Sequence, residues 1–153
     1  MATAKANIAA YKVALQRRGG PVHPKPEFPG DAAIGVQRHI FLADADAEAH
    51  RFAKPAMDRH LAHLNWLRVK HGETGLTSRL NVPRGANFEA CVEDRTVIAG
   101  SPATVRAELE RQVGELGVNY LLTYLFLGTM SLADALRSLD LFRREVMPHL
   151  AKL

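Results

Sequence analysis

The chain has 153 residues, 47% of them hydrophobic and 24% charged, which suits one domain large enough to bury a core. Its net charge of +4 does not point to nucleic acid: Lys and Arg stand singly or in pairs such as Arg17-Arg18 and Arg143-Arg144, with no basic block and no interleaved aromatics. No apolar run approaches the roughly 18 residues of a membrane span, the expected location is the cytoplasm, and the single Cys91 excludes an internal disulfide or a cysteine-based zinc cluster.

In chain order, Ile8, Tyr11 and Leu15 predict a helix over 4–18 with one apolar stripe, stopped by Gly19-Gly20-Pro21. Pro21, Pro24, Pro26, Pro29 and Gly30 then predict an extended loop. A strand follows over 34–42. Ile34, Val36, Arg38, Ile40 and Leu42 share one face of it, and Gly35, Gln37, His39 and Phe41 the other. Asp46 can cap a helix starting near Ala47, Pro55 should kink or interrupt that helix, and Met57, Leu61 and Leu64 carry its stripe toward Gly72.

Periodicity is lost over 72–94, which reads as an irregular insertion loop. Ser101 and Pro102 then open a helix with Val105, Leu109, Val113 and Leu116 inward, and Gly117 closes it. Val118 to Leu127 is apolar enough for a strand buried on both faces. A final helix, capped by Ser131 with Asp134 three residues on, should bury Leu132, Leu136, Leu139, Phe142 and Val146 and end at Pro148.

Strand, helix, strand, helix is the alternating α/β order, which implies parallel strands with helices outside. Two strands do not make a sheet, so further strands must come from elsewhere.

Several segments carry a resemblance. They are Val97-Ile98-Ala99-Gly100-Ser101-Pro102-Ala103-Thr104-Val105, Gly117-Val118-Asn119-Tyr120-Leu121-Leu122, Ser138-Leu139-Asp140-Leu141-Phe142 and Glu145-Val146-Met147-Pro148. With Asn7-Ile8-Ala9-Ala10-Tyr11 and Arg38-His39-Ile40-Phe41-Leu42-Ala43-Asp44 before them, they resemble the C-terminal part of the bacterial luciferase-like flavin-dependent monooxygenases. The resemblance implies an α/β fold, the C-terminal portion of a (β/α)8 TIM barrel. Residues 1–153 would be the last helix of the sixth unit plus the seventh and eighth units, with a long insertion between the seventh strand and seventh helix. It also implies that about half of a barrel is absent, so these residues alone do not close a full flavin pocket; a separate reading makes Met1 an internal or erroneous start within a longer gene.

The same resemblance implies reduced flavin mononucleotide (FMN), or the deazaflavin F420 in some branches, with dioxygen, a small organic substrate and a flavin reductase as partners. His39 matches a histidine that alkanesulfonate monooxygenases place two residues after an arginine. Here Gln37 stands in that arginine's place, which removes an anion-binding cation. Active sites of such barrels gather beyond the C-terminal strand ends. Gly128 and Thr129, after the last strand, are therefore candidates to approach flavin, and Arg84 and Arg95, in or beside the long loop, to meet an anionic substrate.

Each candidate also has a plainer explanation. His39 can be a hydrogen-bonded core or interface histidine, Gly128-Thr129-Met130 a simple turn, and the two arginines solvated charges. Gly100-Ser101-Pro102 can attract a phosphate or be an ordinary cap. His60, His63 and His71 form no recognisable metal motif. Two functions follow: part of a flavin-dependent oxidoreductase, or a non-catalytic half-barrel that assembles as a homo-oligomer or with a complementary barrel half.

Overall fold

A computed structural model describes residues 1–72, 87–126 and 128–151. Its centre is a parallel sheet of three strands, β1 (Gly35–Leu42), β2 (Val97–Gly100) and β3 (Tyr120–Tyr124), in the order β2-β1-β3. β2 pairs with the C-terminal half of β1, from His39↔Val97 to Leu42↔Gly100, while β3 pairs with the N-terminal half, from Gly35↔Tyr120 to His39↔Tyr124. The parallel arrangement follows the expectation. β2 supplies a third strand that the sequence reading did not separate from the helix start after it.

Helices cover both faces. On one, α2 (Asp46–Lys70) and the short α3 (Phe88–Glu93) enclose Phe41, Val97 and Ala99. Ala49, Ala53 and Ala56 recur at helical spacing on the buried side of α2, and their small side chains let its backbone approach the sheet closely. On the other face, α4 (Pro102–Leu116) and α5 (Leu132–Leu141) cover Ile40, Leu42 and Ile98 through Val105, Leu109 and Leu141. α1 (Ala2–Arg18) buries no residue fully; Ile8 is half-buried and Tyr11 exposed, so the expected stripe is only partly used.

Several expectations need correcting. Pro55 does not interrupt α2, which is assigned as one helix. Asp46 does not cap α2: the N-cap is Ala45, with no side-chain bond. Within the stretch read as irregular, Asn87 caps α3, where Phe88 inserts into the core and its N–H donates to Asp58 Oδ1 at 2.7 Å. Tertiary contact thus creates a helix too short to show a period.

β3 is not buried on both faces. Among the described residues it is an edge strand, and Tyr120, Leu122 and Tyr124 are about half exposed, Tyr120 meeting Phe28 edge-on at 5.8 Å. Leu127 falls outside the described residues.

The last helix turns a different side inward. Ala135, Ser138 and Leu141 are buried, with Phe142 and Val146, whereas Leu132, Leu136 and Leu139 face solvent. A π turn at Phe142–Val146 follows α5, and α6 (Met147–Leu150) carries the chain past Pro148, which sits in its first turn, where a proline needs no N–H partner. Among the described residues no helix is long and apolar enough to cross a membrane.

Candidate functional site

The site begins with the period of β1. Gly35, Gln37 and His39 point to the same side as their register partners Tyr120, Leu122 and Tyr124. His39 stacks on Tyr124, with ring centroids 5.2 Å apart and planes 26° from parallel. His60, brought by α2, approaches the same ring at 6.0 Å.

His39 Nδ1 is enclosed and has no hydrogen-bond partner among the described residues. Burial, reinforced by His60, lowers the His39 pKa to about 4. The ring is therefore neutral near pH 7 and a weak general base there; packing and hydrogen bonding are what it offers. Burial, then His63, also lowers the pKa of His60. Gln37 is exposed, and on β1 it stands two residues before His39 with no charge of its own.

Gly128 adopts φ +56°, and a Cβ there would overlap the carbonyl oxygen of Ala56 on α2. The turn is thus pressed against helix backbone; Thr129 beside it is exposed and Met130 enters the core. Arg84 lies outside the described residues. Arg95 sits elsewhere, with its guanidinium 3.6 Å from Glu108 and its carbonyl accepting Gln112 Nε2 at 3.2 Å, both residues on α4 across the sheet from α2. Its backbone φ is positive, 61°.

A polar network that the reading did not assemble lies on that second face. Arg38, buried in β1, donates through Nε to Gln112 Oε1 and through Nη1 to the Gln37 carbonyl, both at 2.6 Å. Gln112, fully buried, donates on to Glu108 at 2.7 Å. Burial lowers the Arg38 pKa, and Asp94 and Glu108 oppose that shift. The sequence signal was a charged residue in an otherwise apolar strand face.

The phosphate candidate at the start of α4 is already taken. Asp46 Oδ1 accepts the Ser101 N–H at 2.6 Å and Oδ2 accepts the Thr104 hydroxyl at 3.1 Å, so an incoming anion would meet a carboxylate. Among the described residues no cluster of three or more His, Cys, Asp or Glu is placed to hold a metal ion. Cys91 is buried, and burial raises its thiol pKa, which suits a structural thiol.

No protein-family model matches the sequence. An uncharacterized protein of Sinorhizobium fredii, y4wF, is 29% identical over 114 residues, covering 74% of this chain and 32% of that protein. Among solved structures, the monooxygenase RslO1 from Streptomyces bottropensis superposes with TM-score 0.60 at 19% identity, over 95% of this chain and 37% of its own. The oxygenating constituent of 3,6-diketocamphane monooxygenase from Pseudomonas putida, a type II Baeyer-Villiger enzyme in complex with FMN, gives 0.59 at 22% identity, over 95% and 39%. Apo-MsnO8 gives 0.52 at 21% identity, over 90% and 39%. The chain therefore spans about a third of the relative and under two-fifths of these structures. At such identities the likeness is one of fold: a small parallel α/β sheet with its helices, as found in part of these monooxygenases.

Proposed function

We propose that this chain contributes part of a flavin-dependent oxidoreductase of the luciferase-like kind, acting in the cytoplasm on a small organic substrate with reduced FMN, or F420, and dioxygen. A separate reductase would supply the reduced flavin. The observation that carries the reading is that nearly the whole chain shares its fold with monooxygenase structures, one of them an FMN complex.

The residues fit a flavin in part. The uncharged face of Leu122, Tyr124 and His39 suits a planar ring, whereas the helix start that could have held its phosphate is occupied by Asp46. A bound reduced flavin supplies the electron pair that activates dioxygen. Tyr124 and Leu122 would support the ring, neutral His39 would keep its orientation through stacking, and Gln37 would offer hydrogen bonds without a charge. With Gln37 in place of an arginine, β1 offers a sulfonate substrate no cation beside His39.

Titration of FMN fluorescence with the full chain tests the proposal. Tight binding by this chain alone would contradict the incomplete pocket, whereas binding is expected once the rest of the barrel is restored; no saturable quenching by the restored barrel overturns the proposal.

A second reading, an assembly module, is favoured by the exposed apolar residues of β3 and α5. Tyr120, Leu122, Tyr124, Leu132, Leu136 and Leu139 all remain between 44% and 69% exposed.

A further inference from the structure

We infer that His39 and His60 together form a two-nitrogen binding site for a monovalent metal ion, Cu(I). The inference does not rest on flavin binding, and both ligands come from elements that pack on each other within this chain, β1 and α2.

Local packing brings the two rings together. Phe41 lies on the His39 side of β1 and enters the core that α2 closes with Ala53, Ala56 and Met57. α2 runs back along this face of the strand, so His60, one helical turn on from Ala56, reaches the ring of His39. The ring centroids stand 6.0 Å apart with planes at 57°.

That separation discriminates between contacts. A direct N–H···N hydrogen bond between two imidazoles holds their centroids within about 5.3 Å. A metal bonded to an imidazole nitrogen lies about 3.2 Å from the ring centroid, so two such ligands set their centroids at most about 6.4 Å apart. The observed 6.0 Å falls between these values and fits one ion held at a wide angle.

His39 is also prepared as a ligand. Tyr124 stacks on its ring at 5.2 Å and fixes the plane, while the enclosed Nδ1 has no hydrogen-bond partner among the described residues. Buried polar atoms are ordinarily paired, so an enclosed and oriented ring nitrogen without a partner points to a ligand. Imidazole binds metals in its neutral form, which His39 holds near pH 7.

The surroundings select the ion. Both histidines are half-buried, and among the described residues no third His, Cys, Asp or Glu joins them in a metal-binding group. Zinc takes four ligands in structural sites, and calcium and magnesium take oxygen ligands. A divalent charge here would also lack a carboxylate to offset its desolvation. Cu(I) suits imidazole, carries one charge and accepts two ligands at a wide angle.

The test is an anaerobic titration of the full chain with Cu(I), without flavin, in competition with a chromogenic Cu(I) chelator. Retention of one equivalent is expected. His39→Phe and His60→Phe should each weaken it at least about tenfold, and His63→Phe, at an exposed position, should leave it unchanged. Because Cu(I) is diamagnetic, NMR of the wild-type chain should show the ring resonances of His39 and His60 shifting together at one equivalent, with those of His23 unmoved. Circular dichroism checks each variant; His60→Phe, on the flank of α2, keeps the test open where His39→Phe disturbs packing. Failure of the wild-type chain to retain Cu(I), or retention undiminished in folded His60→Phe, overturns the site. Tighter retention of Zn²⁺ than of Cu(I) overturns the choice of ion. None of these outcomes decides whether the restored barrel binds FMN.

Discussion

Asp46 and Ser101 lie 55 residues apart, yet the Asp46 carboxylate accepts the Ser101 backbone N–H at 2.6 Å. The first residue of α2 thereby supports the N-terminus of α4, whose own cap, Ser101 Oγ, accepts the Thr104 N–H at 3.4 Å. Two helices on opposite faces of the sheet are joined at one point beyond the β2 strand end.

Removing that carboxylate should loosen the joint. The Ser101 backbone bond is the main cause of a lowered Asp46 pKa. A lowered carboxyl pKa contributes stability that is present above the ordinary carboxylate value and is lost as pH falls through the folded value. Asp46→Ala is expected to cost about 1 kcal/mol at pH 7, a modest figure for an exposed group. Urea denaturation of wild type and variant should show the gap narrowing as pH falls below about 4.

His39 predicts a second pH dependence. Its folded pKa, about 4, lies below the ordinary 6.5 because burial and His60 disfavour the cation. The unfolded chain therefore binds the proton first as pH falls. The stability held above pH 6.5 is lost progressively down to pH 4, by about 3 kcal/mol at most. His39→Phe should flatten the profile of denaturation midpoint against pH between those limits, and an NMR titration should find the His39 ring still neutral at pH 5.5.

Gln112 links Arg38 to Glu108 through hydrogen bonds to both. Gln112→Leu preserves bulk but strands the buried Arg38 Nε without its acceptor. A loss of about 2–3 kcal/mol is expected in equilibrium unfolding, as for other buried groups left unpaired next to a charge.

The last helix offers a comparison between two neighbours. Ser138 is fully buried and its Oγ accepts the Leu42 N–H at 2.9 Å, whereas Leu139 is exposed. Ser138→Ala, though it removes a single oxygen, should cost about 1–2 kcal/mol by stranding a β1 donor. Leu139→Ala should change the stability of the monomer by less than about 0.5 kcal/mol. Thermal melts of the two variants check the order.

That comparison shows which parts of the fold were legible. Local chemistry was: Ser101, Ser131 and Gly117 cap where their residue types imply, and the alternation of β1 correctly divides Arg38 from His39. The burial of α5 was not, because hydrophobicity marks Leu132, Leu136 and Leu139 while the sheet accepts the smaller Ala135 and Ser138 at close range. β2 was too short for a period to register. Asp46 was read as serving its own helix because a carboxylate at a helix start says nothing about a second helix 55 residues on. For the candidate site, alternation puts His39 and Gln37 on one face of β1, but the pairing of His39 with Tyr124 depends on strand register and with His60 on where α2 lies. The network around Gln112 needed three elements placed together.

The abutment of Gly128 on the Ala56 carbonyl has a bearing on His60, which lies about one helical turn further along α2. Backbone meets backbone there, so the turn after β3 acts as a mechanical stop for the helix. How deeply α2 slides along the sheet, and hence how far His60 overhangs His39, is gauged by the absence of a single methyl group. The part of the lowered His39 pKa that His60 contributes, second to burial, thus depends on how closely a glycine lets α2 approach.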